Sequence, residues 1–171
     1  MSGDPVHFVD EGDVRQAVLL VFDELRSRVA TLLPEAEIEH VGSTSTPVAL
    51  TKGDLDICVL VERSDFLEAD RLLAEHFARN VGSDQTDSLS SFVDDSKAVA
   101  VGVQLVVRGG REDFFVRWRD LLRRSPDVLS AYNELKRQWH GRPHDGYRRA
   151  KSRFIESHLG LNRDEKDAGR G

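Results

Sequence analysis

Cysteine is nearly absent, with Cys58 the only one in a chain of 171 residues. An internal disulfide is therefore excluded, and so is the paired Cys and His spacing of a structural zinc site. Long apolar runs are missing too. Nothing approaches the roughly 18 to 20 residues that cross a bilayer, and the mean hydropathy is -0.42. Residues 1–13 have neither a basic start nor an apolar core, so they do not read as a secretory signal. The expectation is a reduced, cytoplasmic protein with no membrane span. Gly-x-x-x-x-Gly-Lys-Ser/Thr and Gly-x-Gly-x-x-Gly are absent, which removes support for P-loop kinases and dinucleotide enzymes. There is no internal repeat and no low-complexity tract.

What is present fits one domain with its own core, at 39% hydrophobic and 32% charged residues. The chain is read as a single domain over residues 1–160, with an α/β core over 12–110, C-terminal helices over 111–160 and a disordered tail over 161–171. The net charge of -6 hides an asymmetry. Residues 1–107 carry 8 basic and 20 acidic side chains, whereas residues 108–153 carry 13 and 6. Such a division suits a metal site faced by a phosphate-binding wall, and it equally suits solvated helix faces of opposite sign.

Val14, Val18, Val21, Phe22, Leu25, Val29 and Leu32 recur at helical spacing behind Asp10 and Asp13 and ahead of Pro34. Residues 37–41 and 54–61 alternate as strands, the second more deeply buried. Residues 66–77 have a helical period, and residues 91–93 and 98–107 read as a hairpin turning around Asp94, Asp95 and Ser96. Three further helical stripes follow Phe115, Val128 and Tyr147. The order α-β-β-α-β-β-α-α-α predicts an α+β fold, a mixed β-sheet packed by helices.

The segment Val41-Gly42-Ser43-Thr44-Ser45-Thr46-Pro47, followed by Lys52-Gly53-Asp54-Leu55-Asp56-Ile57, carries the chemistry. Residues i and i+2 of a strand share a side, so Asp54 and Asp56 project together. Their repulsion is relieved by a divalent cation, and oxygen-only ligands favour Mg²⁺ or Mn²⁺. Gly42 admits a phosphate close to the backbone, and the hydroxyls of Ser43, Thr44, Ser45 and Thr46 can donate to it. Lys52 lies beside the first carboxylate and suits a triphosphate, or it is an exposed loop lysine. His40 precedes the turn as an accessory ligand contact or a half-exposed strand residue. Trp118, Trp139, Tyr132 and Phe154 sit on apolar stripes and read as core.

The spacing Gly-Ser, ten residues, Asp-hydrophobic-Asp-hydrophobic resembles the DNA polymerase beta-like nucleotidyltransferase superfamily. Within it, Ile38-Glu39-His40-Val41-Gly42-Ser43-Thr44-Ser45 resembles the GrpB family, as do Ser130-Ala131-Tyr132-Asn133-Glu134-Leu135-Lys136 and Tyr147-x-x-x-Lys151-x-x-Phe154-Ile155. The resemblance implies that Gly42 and Ser43 hold nucleotide phosphates, that Asp54 and Asp56 ligate metal and carry catalysis, and that Lys151 binds phosphate. Two departures stand out: Thr46-Pro47-Val48 replaces the usual Val-Pro-Gly, and Lys52-Gly53 replaces Lys-Pro.

Active members of the superfamily place a third carboxylate on a later strand. Residues 98–107 hold no Asp or Glu, and the position facing the site is Gln104, a neutral amide that cannot act as a base. Asp94 or Asp95 is the substitute to test, with a turn role as the alternative. The expected function is binding of a nucleoside triphosphate with Mg²⁺ and transfer of a nucleoside monophosphate to an unknown acceptor, a small molecule rather than RNA. The alternative is an inactive nucleotide- or phospholigand-binding module. A third reading docks RNA on Arg142, Arg148, Arg149, Lys151 and Arg153, but the acidic chain lacks interleaved exposed aromatics.

Overall fold

The computed structural model describes residues 3–161. A two-residue strand β1 (Val9–Asp10) leads into helix α1 (Glu11–Leu32), which turns Val18, Val21, Leu25 and Val29 inward. Strand β2 (Glu37–Val41) runs into a 3-10 turn at Ser43–Ser45, then β3 (Leu50–Thr51) and β4 (Leu55–Val61). Helix α2 (Phe66–Ala74), β5 (Ala78–Arg79), β6 (Leu89–Asp94) and β7 (Val101–Val107) complete the α/β part. Helices α3 (Phe115–Arg124), α4 (Pro126–Trp139) and α5 (His144–Leu159) follow, with Gly160 closing α5 in the left-handed conformation. The expected tail lies outside the described residues from position 162 onward.

The main sheet has the order β2-β4-β7-β6-β5, and β1 pairs with β3 separately. β4 and β7 are parallel, while the other pairs are antiparallel. The expected mixed sheet is thus present, and β6 and β7 form the expected antiparallel pair. Strand period sorts the two faces. Leu55, Ile57, Val59 and Val61 join Val101, Val103, Leu105, Val107 and Phe92 against α1 and α2. The opposite face presents Asp56, with Cys58, Leu60, Val41 and Val106 packed against Phe115 and Val116. Cys58 is buried, and burial pushes its thiol up to about 12, so it is a small core residue and not a nucleophile.

Helices α3 to α5 have their own apolar cluster around Trp118, Leu122, Leu129 and Tyr132. The N-terminal segment is tied to them. The Val6 amide donates to the Arg142 carbonyl at 2.9 Å, and Gly141 returns a bond to Val6 at 2.8 Å. Val6 and Phe8 then bury themselves against Tyr147.

Candidate functional site: a paired carboxylate against a glycine turn

Asp54 stands just ahead of β4 and Asp56 is its second residue. Asp56 lies opposite Val41 on β2 and Gly102 on β7. Both carboxylates line a cavity of about 920 Å³ between the sheet and the C-terminal helices. Gly42 has φ 72 and ψ -174, a region open in practice to glycine alone. A Cβ built on it would stand 2.1 Å from Asp56 Oδ2. The missing side chain is therefore what lets the turn close over the carboxylate.

The hydroxyls after Gly42 divide. Ser43 lines the cavity, whereas Thr44 and Ser45 are buried beneath it. Thr44 Oγ1 donates to the Asp54 carbonyl at 3.0 Å, and Ser45 Oγ donates to the Gly42 carbonyl at 2.6 Å. These two hydroxyls brace the turn from below because backbone carbonyls lie within their reach. Thr46 Oγ1 is buried with no hydrogen-bond partner. His40 Nε2 lies 3.0 Å from Thr44 Oγ1, and its ring stacks on Phe22 at 5.1 Å. Burial, then Arg123 and Arg119, push the imidazole down to about 4. His40 is thus a neutral brace under the turn and not a lining residue.

Three ammoniums oppose the two carboxylates. Lys52 Nζ sits 3.0 Å from Asp54 Oδ2. Lys151 lines the cavity from α5, while Arg142, Arg148, Arg149 and Arg153 do not. Lys136 is 0% exposed, and its Nζ donates to Ser43 Oγ and to the Leu50 carbonyl, each at 2.5 Å. Burial, then the Lys151 charge, push Lys136 down to about 7 against the pull of Asp54 and Asp56. Burial also lowers Lys151. In the other direction, burial and the Asp54 charge hold the Asp56 carboxyl well above the usual range, with Lys151, Lys52 and Lys136 opposing them.

The sequence places Tyr132 in the core and names Asn133 and Lys136 only within the GrpB-like segment, with no role at the site. Tyr132 is buried, yet it lines the cavity and its ring lies 4.1 Å from Lys136 Nζ. Asn133 accepts from the Leu50 amide at 2.8 Å and donates to the Val48 carbonyl at 3.0 Å. That clamp holds Val48 at φ 59, where the GrpB pattern has glycine. The available signal was a lysine on the apolar stripe, one turn after Tyr132.

Neither substitute for the third carboxylate reaches the site. Asp94 shares the α1 face of β6 with Phe92, and its Oδ1 accepts from Ser96 N at 2.9 Å and Ser96 Oγ at 2.5 Å. Asp95 is exposed in the loop and does not line the cavity. Gln104 does line it, and its Oε1 accepts from Ser91 Oγ at 2.5 Å. Among the described residues, no three or more His, Cys, Asp or Glu side chains gather as a metal cluster. Asp54 and Asp56 nevertheless fit Mg²⁺ or Mn²⁺, because a hard cation needs only one or two carboxylates when water and phosphate complete its shell.

The parallel β4–β7 centre, the antiparallel flanks and the glycine turn facing an Asp pair at the head of β4 define a nucleotidyltransferase-like α+β fold. The GrpB protein family model matches residues 13–160. A UPF0157 protein of Vibrio cholerae is 36% identical over 165 residues, covering 94% of this chain and 85% of that one. The crystal structure of the conserved protein GrpB from Enterococcus faecalis superposes with a TM-score of 0.59 at 20% identity, covering 84% of this chain and 87% of that one. The Cid1 poly(U) polymerase in complex with the UTP analog UMPNPP matches at a TM-score of 0.48 and 18% identity, over 72% of this chain and 38% of that one. This chain belongs to the GrpB family.

Proposed function

We propose that this protein binds a nucleoside triphosphate with Mg²⁺ or Mn²⁺ and transfers the nucleoside monophosphate to an acceptor. The observation that carries the reading is the Asp54–Asp56 pair, with Asp56 held under Gly42, on a cavity that Lys52 and Lys151 also line. Asp54 and Asp56 would hold the ion, which when bound supplies Lewis-acid neutralisation of phosphate oxygens. Lys52 now pairs with Asp54 and is placed to turn to a phosphate. Ser43, oriented by Lys136, presents its hydroxyl beside Gly42. Phe114 and Phe115, stacked at 4.5 Å on the cavity wall, offer an apolar face to a base.

A second reading, a binding module without turnover, is favoured by Gly102 and Gln104 on β7, where a third carboxylate would stand. Nucleoside triphosphate labelled at the α-phosphate separates the two. Magnesium-dependent retention of label, with its passage to a small-molecule fraction and release of pyrophosphate, supports transfer. Retention without pyrophosphate release supports the module, and no retention contradicts both.

A further inference from the structure

We infer that the nucleotide this cavity takes carries guanine, its Watson–Crick edge read by Glu112 beside the wall of Phe114 and Phe115. The inference rests on reading the cavity as a nucleotide site, with the phosphates at Asp54 and Asp56. The sheet then measures where the base must lie. Phe115 packs against the cluster that holds Cys58 and Leu60, two and four residues along β4 from Asp56. At about 3.3 Å per residue, that is roughly 7 to 13 Å from the carboxylate, the reach of a ribose and a base beyond an α-phosphate. Phe114 stacks on Phe115, and both line the cavity. An aromatic face therefore lies where the strand puts the base.

Glu112 marks the next step in the same direction. Its partner Ser88 accepts from the Val107 amide at 3.0 Å, and Val107 stands opposite Val61 at the far end of β4. Ser88 Oγ donates to Glu112 Oε2 at 2.5 Å, and Thr86 Oγ1 donates to Oε1 at 3.4 Å. Both carboxylate oxygens are thus held by hydroxyls that precede β6, while Glu112 itself lines the cavity. An ionised carboxylate only accepts, and each of its oxygens has a second lone pair for a ligand.

Two acceptors fixed side by side discriminate among the bases by their edges. Guanine offers two adjacent donors, N1–H and the 2-amino group, next to the O6 acceptor. Adenine and cytosine offer one amino group beside a ring nitrogen lone pair, and uracil offers one N–H between two carbonyls. With each of these three, the second carboxylate oxygen meets a lone pair instead of a donor. Arg111, the preceding residue, also lines the cavity and is a donor for O6, and Asp84 adds another acceptor from the loop before β6. A site that pairs with polar groups of its substrate rejects analogues that leave those partners unmatched.

The test titrates the full chain, in Mg²⁺, with nucleoside triphosphate analogues that cannot be cleaved between the α- and β-phosphates. One analogue carries each of guanine, adenine, cytosine, uracil and hypoxanthine, the last being guanine without its 2-amino group. The guanine analogue should bind at least about tenfold tighter than the adenine, cytosine and uracil analogues, with hypoxanthine weaker than guanine. In Glu112→Gln the preference for guanine over adenine should shrink by about tenfold. The comparison of bases in the parent chain decides the matter even if that variant fails to fold. Another base bound as tightly as guanine, hypoxanthine included, overturns the inference, and so does an unchanged preference in folded Glu112→Gln. No binding of any analogue overturns the nucleotide reading itself and the base with it.

Discussion

Gly42 decides where Asp56 can stand. Replacing it with alanine forces a positive φ on a residue with a side chain and drives Cβ into Asp56 Oδ2. Gly42→Ala should cost about 2 to 4 kcal/mol, read from the urea midpoint, and should weaken nucleotide binding; an unchanged midpoint would contradict the close approach. His40 gives a pH signature. Its folded value of about 4 lies below the ordinary 6.5, so the unfolded chain takes up a proton that the folded chain refuses. The His40 contribution to stability should be complete above pH 6.5 and be lost as pH drops towards 4, and His40→Gln should flatten that slope by about one proton. Equal slopes in chemical denaturation across this window would count against a half-buried neutral imidazole. The paired carboxylates were legible from their i, i+2 spacing at the head of β4 together with the glycine turn ten residues before. The inward hydroxyls of Thr44 and Ser45 were not, because their direction depends on a 3-10 turn that a Gly-Ser-Thr-Ser string does not specify.

At the scale of elements, α4 sets the loop between the glycine turn and the Asp pair. Asn133 holds both Val48 and Leu50, and Lys136 holds Leu50 and Ser43. Asn133→Ala leaves the Leu50 amide and the Val48 carbonyl without these partners and should cost about 2 to 3 kcal/mol, with faster amide exchange at Leu50. Exchange unchanged there would show that the loop holds itself. The helices and long strands were readable because each has several periods of apolar spacing. β1, β3 and β5 were not, since two residues have no period and their pairing comes from tertiary placement. Asp94 shows the same limit. Its face is settled by alternation with Phe92, but which face meets the cavity depends on the β6–β7 register.

Across the whole molecule, the acidic and basic portions of the chain meet at the cavity. Asp54, Asp56 and Lys52 line it from the first, and Arg111 and Lys151 from the second. Other charges pair locally at the surface, such as Arg71 with Glu68 and Glu75. The N-terminal strap completes the cavity wall through Phe8. Deleting residues 1–8 removes Val6 and Phe8 from against Tyr147 and should cost about 3 to 5 kcal/mol, measured by urea denaturation; a loss below about 1 kcal/mol would show that the strap packs only loosely.

The most direct measurement is calorimetric titration of each nucleoside triphosphate into the full chain, with and without Mg²⁺, alongside Asp54→Asn and Asp56→Asn. Metal-dependent binding in the parent protein, lost at least tenfold in both variants while their circular dichroism stays that of the parent, is the expected result. Binding that is indifferent to Mg²⁺ and to both substitutions, or no binding by the folded parent protein, would contradict a nucleotide site at the Asp pair.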